Sequence, residues 1–310
     1  MRLRLIAFSV FCTALAACGA RGPVALNAVP AAFGVGTQDA WMSPAARNSD
    51  LLYIATGDNA YVVTYPGGKR VGALGLKFAA SLCTDRSGNV FFPVRTVVEY
   101  QHGNLRPSRI LDTDNLIAVS CAVDRTTNNL AVMCWSSGAS VVLLYPNEQT
   151  PPIAYWTGFD AVGQGGYDDK GNLFVDGNDS VAELPKGSDT FTYYPLDYRF
   201  DAYGAIQWDG KYMTITRPSH HEIYRIDFSG SSLKIVGTTH LHDWHNPYNG
   251  SYPFVQTWIQ GATFIGQVST KAAVGLWPYP EGHDRQKTIS GFRPGDDVNV
   301  YGVAVSLAKR

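Results

Sequence analysis

The chain has 310 residues, of which 25 are basic and 26 acidic, for a net charge of −1 at neutral pH and only 16% charged residues. So even a balance offers no basic footprint for nucleic acid and no strong field toward an anionic membrane face. Thirty-one glycines, 17 prolines and 17 tyrosines point to turns and strands rather than long helices.

The first residues, Met1-Arg-Leu-Arg4, precede an apolar run from Leu5 to Ala17 and then Cys18-Gly19. Two arginines, a short apolar stretch and small residues before a cleavage point define a secretory signal peptide. The run is shorter than the ~20 apolar residues a spanning helix requires. Leu15-Ala-Ala-Cys18 resembles the lipobox of bacterial lipoproteins. That resemblance implies cleavage before Cys18 and lipid on its sulfur, including palmitate-like acyl chains that hold the protein to a membrane. Several acyl chains together make such attachment effectively permanent. Gly19 stands where an Asp would favour inner-membrane retention, so the outer membrane is the expected site. Cleavage removes Arg2 and Arg4 and takes 25 basic residues to 23 against 26 acidic, a net −3. Residues 18–37, rich in Ala, Gly and Pro beyond the cysteine, read as a lipidated tether, and the folded domain is expected over residues 38–310.

A repeated unit decides the fold of that domain. Its first element is a tight turn leading into an apolar strand: Asp85-Arg-Ser-Gly-Asn-Val-Phe91, Asp124-Arg-Thr-Thr-Asn-Asn-Leu130 and Asp168-Asp-Lys-Gly-Asn-Leu-Phe174. Weaker copies begin at Asp209 and Gln260, and Ser49-Asp50-Leu51 opens the series. Asp, Asn and Gly supply the local backbone bonds and positive φ such turns need. The second element is a strand ending at a Pro or Gly turn, as in Val62-Val-Thr-Tyr65-Pro66, Val142-Leu-Leu-Tyr145-Pro146 and Val181-Ala-Glu-Leu184-Pro185. Strand starts at Leu51, Val90, Leu130, Leu173, Tyr212 and Thr263 give intervals of 39, 40, 43, 39 and 51 residues. Units of roughly 40–45 residues with four short strands each predict an all-β, six-bladed β-propeller. Inner strands are expected just before the Asp turns, at 79–83, 118–121 and 203–207. The C-terminal Tyr301–Ser306 has the same character with nothing after it. It is predicted to pair with residues 51–76 as the inner strand of the first blade, which removes open sheet edges.

The Asp-x-x-Gly-Asn turn followed by a strand resembles the NHL and SMP-30-like six-bladed propellers over roughly residues 38–307. Trp258-Ile-Gln-Gly261, together with the closing Gly302-Val-Ala-Val-Ser306, resembles uncharacterised bacterial propeller lipoproteins. The SMP-30-like lactonases imply a Glu, Asn and Asp set on axis-facing strands. The inner strands here carry Ser, Cys, Ala, Gly and Gln instead, a departure from that chemistry.

Four turn acids, Asp85, Asp124, Asp168 and Asp209, recur at equivalent positions; each reads as the cap of its own hairpin rather than part of a metal ring. The densest ligand cluster is His240-Leu-His242-Asp-Trp244-His245 in the long fifth-to-sixth connection. Alternation puts His240 and His242 on one face of a strand, and His245 is positioned to complete a three-nitrogen candidate metal set. The same connection supplies the candidate ligand-contacting residues His240, His242, Trp244, His245 and Tyr248, on a loop expected beside the channel mouth. Cys83, Cys121 and Cys134 remain outside the signal and lipidation cysteines. They are read as buried small hydrophobes, with a Cys121–Cys134 bridge disfavoured because Val132 is the expected partner of Cys121. The many aromatics either pack between blades or form a sugar- or peptide-binding mouth.

With a complete propeller and no assembled catalytic set, the expected function is non-enzymatic: an envelope-anchored binding or scaffold module needing no cofactor, for a protein, small-molecule or glycan ligand. The alternative is a metal-dependent, lactonase-like hydrolase or lyase at the channel mouth. Fold alone does not choose between them.

Overall fold

The Asp-led turns close hairpins because the Asp side chain satisfies the turn's own amides. Asp85 Oδ1 accepts from the Asn89 backbone N–H at 2.7 Å and Oδ2 from the Asn89 carboxamide at 2.8 Å. Gly88 in that turn has φ +82°, and a Cβ there would stand 2.8 Å from the Leu307 carbonyl, so both the turn and its docking require glycine. Such hairpins recur through the computed structural model, which describes residues 40–309 except 137, 178, 197–203, 231, 245–254, 269–271 and 293–298.

Six antiparallel sheets form the blades of a β-propeller. Blade two runs outward through Cys83–Thr84, Val90–Val94, Thr96–Tyr100 and Arg109–Leu111. Blade three uses Ile117–Val123, Leu130–Ser136, Ala139–Tyr145 and Ile153–Trp156, and blade four Gly165–Tyr167, Leu173–Asp176, Ser180–Leu184 and Thr192–Pro195. Blade five comprises Ile206–Trp208, Met213–Arg217, Glu222–Asp227 and Lys234–His240, and blade six Trp258–Gln260, Thr263–Gln267, Val274–Pro278 and Lys287–Ile289. The second strands therefore start where the repeat places them, with a one-residue shift in blade five.

Blade one closes the ring. Gly302–Ser306 is its innermost strand and pairs antiparallel with Leu51–Ala55, in the register Leu51 to Ser306 and Ala55 to Gly302. Ala60–Thr64 and Arg70–Ala73 follow, and a fifth strand, Trp41–Met42, adds to the outer edge. That short strand is an addition to the four expected. The innermost strands touch one another in sequence around a closed ring, blade six against blade one and blade one against blade two. Closure buries both faces: Leu51, Leu52, Tyr53, Ile54, Ala55, Val303 and Ala304 are all fully buried.

The seams between blades carry polar ties as well as apolar packing. Thr84 Oγ1 donates to the Val305 carbonyl at 3.0 Å, and Ser120 Oγ donates to the Gly163 carbonyl at 2.6 Å. Within blade two, Arg109 Nε donates to Glu99 at 2.5 Å, and across the seam to blade three its Nη1 donates to the Glu148 carbonyl at 2.7 Å. Burial, reinforced by the charges of Asp85 and Glu99, pushes the Glu148 carboxyl up to about 7. A carboxyl raised in the folded state stabilises below its unfolded value, and that contribution is lost as pH rises through the folded one. The stability of wild type relative to Glu148→Gln is therefore expected to fall between about pH 4.5 and pH 7 and to level off above. Paired urea titrations across that range check it; a flat or rising difference would contradict it.

Candidate functional site

Each inner strand lies at the end of its sheet and, apart from a single bridge between Ala118 and Arg95, is paired along one edge only. The other edge faces the axis, so backbone N–H and C=O groups border the channel. The inner strands of blades two to six all leave by their tight turns, and Ser306 of blade one lies opposite Leu51 at that same end. The tight turns therefore gather at one mouth.

A cavity of about 410 Å³ occupies the axis and opens at that mouth. Its rim is made by Arg125 and Thr126, Asp168 and Asp169, Trp208 to Gly210, and Trp258 to Gly261. Deeper lining comes from Thr84, Ala122, Gln164, Gly165, Gly166, Ala205, Gln207, Gln256 and Thr257. At the opposite end of the channel, Gln256 braces three blades. Its backbone N–H donates to the Tyr301 carbonyl at 2.8 Å. Its Oε1 accepts from the Leu82 N–H at 2.7 Å and the Ser81 hydroxyl at 3.1 Å, and its Nε2 donates to the Leu82 carbonyl at 2.5 Å. Gly302 permits this crossing, since a Cβ there would meet the Ala80 carbonyl at 2.8 Å and Gln256 Oε1 at 3.2 Å. Gln207 plays a matching part between blades five and six, with Oε1 accepting from Ile259 N–H at 2.7 Å and Nε2 donating to its carbonyl at 2.9 Å. Gln164 differs: it is 2% exposed, borders the cavity, and its side-chain nitrogen has no hydrogen-bond partner.

The turn acids are engaged locally, as the sequence suggests. Asp124 Oδ1 accepts from Thr126 N–H at 2.7 Å, and Asp168 Oδ1 from Lys170 and Asn172 N–H at 2.9 and 2.8 Å. Asp209 Oδ1 accepts from Lys211 and Tyr212 N–H at 2.8 Å each, while its Oδ2 takes the Tyr279 hydroxyl at 2.7 Å.

The cysteines correct the sequence expectation of three separate buried thiols. Cys83 and Cys121 form a disulfide between the inner strands of blades two and three, with Cα atoms 5.7 Å apart. Both border the cavity. Only Cys134 stays free, and burial pushes its thiol up to about 12. Cys121 does face Val132 across the hairpin, as its spacing implies.

The histidine cluster sits elsewhere. His240 ends the outermost strand of blade five, its Nδ1 3.4 Å from Glu222, and His242 Nδ1 lies 2.9 Å from Asp284. The His242 ring meets His283 edge-on at 5.8 Å. Both side chains are mostly exposed, and among the described residues no three potential ligands gather to hold a metal. His245 and Tyr248 lie outside the described residues. Trp244, expected on the ligand-contacting surface, is fully buried against Phe264 and joins the blade-six core. The connection's described far end, Val255–Thr257, enters the inner strand from the end opposite the tight turns. Trp208 and Trp258 are among the aromatics that read from sequence as packing or a binding mouth, and both border the cavity; its glutamines carry no site signal in the sequence, although Ile206-Gln-Trp208 and Trp258-Ile-Gln260 place amide and indole together in two neighbouring blades.

The class is thus a six-bladed β-propeller with an axial cavity. A structure reported as a nidogen/laminin complex is similar, with TM-score 0.66 at 11% identity over 84% of this chain and 100% of that one. A Bacteroides caccae protein of unknown function is similar too, with TM-score 0.60 at 12% identity over 83% of this chain and 99% of that one. At these identities the likeness shows the fold. No protein-family model and no curated protein matches the sequence.

Proposed function

We propose that this chain is a non-enzymatic binding module of the bacterial cell envelope, held by lipid on Cys18 and taking its ligand in the axial cavity. The cavity carries the reading. It lies within the ~300–1,000 Å³ range of small-molecule sites and combines aromatic walls with convergent polar groups. The turn carboxylates that a catalytic metal ring would use are committed to their own hairpins. The Cys83–Cys121 bridge suits an oxidising compartment outside the cytoplasm. Leu15-Ala-Ala-Cys18 supplies the anchor, with Gly19 favouring the outer membrane. One similar propeller was solved as a nidogen/laminin complex, in keeping with a binding use of this fold.

Anchoring is tested by Cys18→Ser, which is expected to accumulate as a larger, unacylated precursor that keeps its signal. Intact-mass measurement checks it, and an unmodified wild-type chain beginning near Ala20 would contradict it. Cavity binding is tested by Thr126→Trp, which adds bulk at the rim and is expected to abolish ligand binding without loss of folding. Ligand binding unchanged in that variant would contradict the cavity as the site.

A further inference from the structure

The cavity's composition is divided by depth. Its charged side chains, Arg125, Asp168, Asp169 and Asp209, all stand on the tight turns of the rim. Below them the lining is threonine, glutamine, alanine, glycine, isoleucine and the disulfide, with no charged side chain. An ion of either sign moving inward would lose hydration and meet no counter-charge in the lining, so its entry is strongly disfavoured. A wholly apolar ligand fares badly too, because the axis-facing backbone groups of Gly165 and Ile206 need hydrogen-bonding partners that it cannot provide. Gln256 braces the far end, which disfavours an extended polymer threading the axis. At the rim, the half-buried Trp208 offers flat apolar surface, Gln260 offers an amide whose Oε1 accepts from Trp258 Nε1–H at 3.3 Å, and the Thr126 hydroxyl, donating to Asp124, offers lone pairs.

Resting on the cavity-binding reading above, we propose that the ligand is an uncharged saccharide of one or two rings. Its hydroxyls both donate and accept, matching backbone edges that do the same. Its ring C–H faces suit indole, as apolar bodies with polar margins do. A volume of about 410 Å³ accommodates that size.

The test is calorimetric titration of the purified full-length protein with cellobiose, maltose and N-acetylglucosamine, beside glucosamine and glucuronate as charged counterparts. At least one neutral sugar is expected to bind with one-to-one stoichiometry, and the charged sugars at least about tenfold more weakly. Trp208→Ala and Gln260→Ala should each weaken binding about tenfold. Gln260 is the partly exposed last residue of its strand, so its variant should melt like wild type and separate lost contact from lost folding. Tighter binding of a charged sugar, failure of every neutral sugar, or indifference to both variants would overturn the assignment. Thr126→Trp separates the two levels. A charged ligand that this variant blocks leaves the cavity reading standing and removes the saccharide, whereas a neutral sugar unaffected by it removes the cavity.

Discussion

Deletion of residues 301–310 is expected to destroy cooperative folding of the whole propeller rather than fray one blade. The deletion removes Gly302–Ser306, a strand buried at every position, and uncovers the edge of Leu51–Ala55. Val303 and Val305 together represent about 3–6 kcal/mol of apolar burial, before the loss of ladder bonds is counted. Ser306 adds ties across the seam, its hydroxyl donating to the Gly88 carbonyl at 2.6 Å while His102 Nδ1 lies 2.6 Å from Ser306 Oγ. Since folded domains are stable by about 5–15 kcal/mol, a loss of this size consumes much or all of the margin. Val303→Ala, which keeps the strand, should cost only about 2 kcal/mol. Thermal and urea melts distinguish these cases; a truncated chain that melts cooperatively near the wild-type midpoint would refute closure by this strand.

Removal of the Cys83–Cys121 bridge carries the second large effect. The bond spans 38 residues and joins two blades rather than two strands of one hairpin. By loop-closure entropy, a bridge of this span stabilises by about 4 kcal/mol. Cys83→Ala with Cys121→Ala should lower the urea midpoint accordingly, and a reductant should bring wild type to the level of the double variant without moving the variant itself. A wild-type midpoint indifferent to reductant would mean the bridge contributes nothing.

These two features also mark what the sequence conveys and what it withholds. The Asp-x-x-Gly-Asn turns announce hairpins because Asp and Gly answer purely local needs, so the starts at Val90 and Leu173 are legible residue by residue, and the glycine-free Asp124 turn marks Leu130 in the same way. The shift from Tyr212 to Met213 arises because the Asp209 turn uses the Tyr212 N–H as one of its own donors. Trp41–Met42 is too short, and too exposed at Trp41, to show a period. The disulfide is illegible for a different reason: Cys83 and Cys121 approach only once the ring sets blade two against blade three. Local composition misleads in the fifth-to-sixth connection. Trp244 sits among loop residues, yet it fills the blade-six core beside Phe264 and Trp277. The cavity follows the same logic, since Gln164, Gln207 and Gln256 lie in separate blades and converge only around the axis.

Hydrogen exchange with and without bound saccharide tests the central claim, that ligand binds at the axis, most directly. Protection is expected in the rim turns near Arg125, Asp168, Asp209 and Gln260, and along the inner strands below them. Protection confined to His240–Trp244 and the outer edge of blade five would contradict the axial site and return the binding role to the long connection.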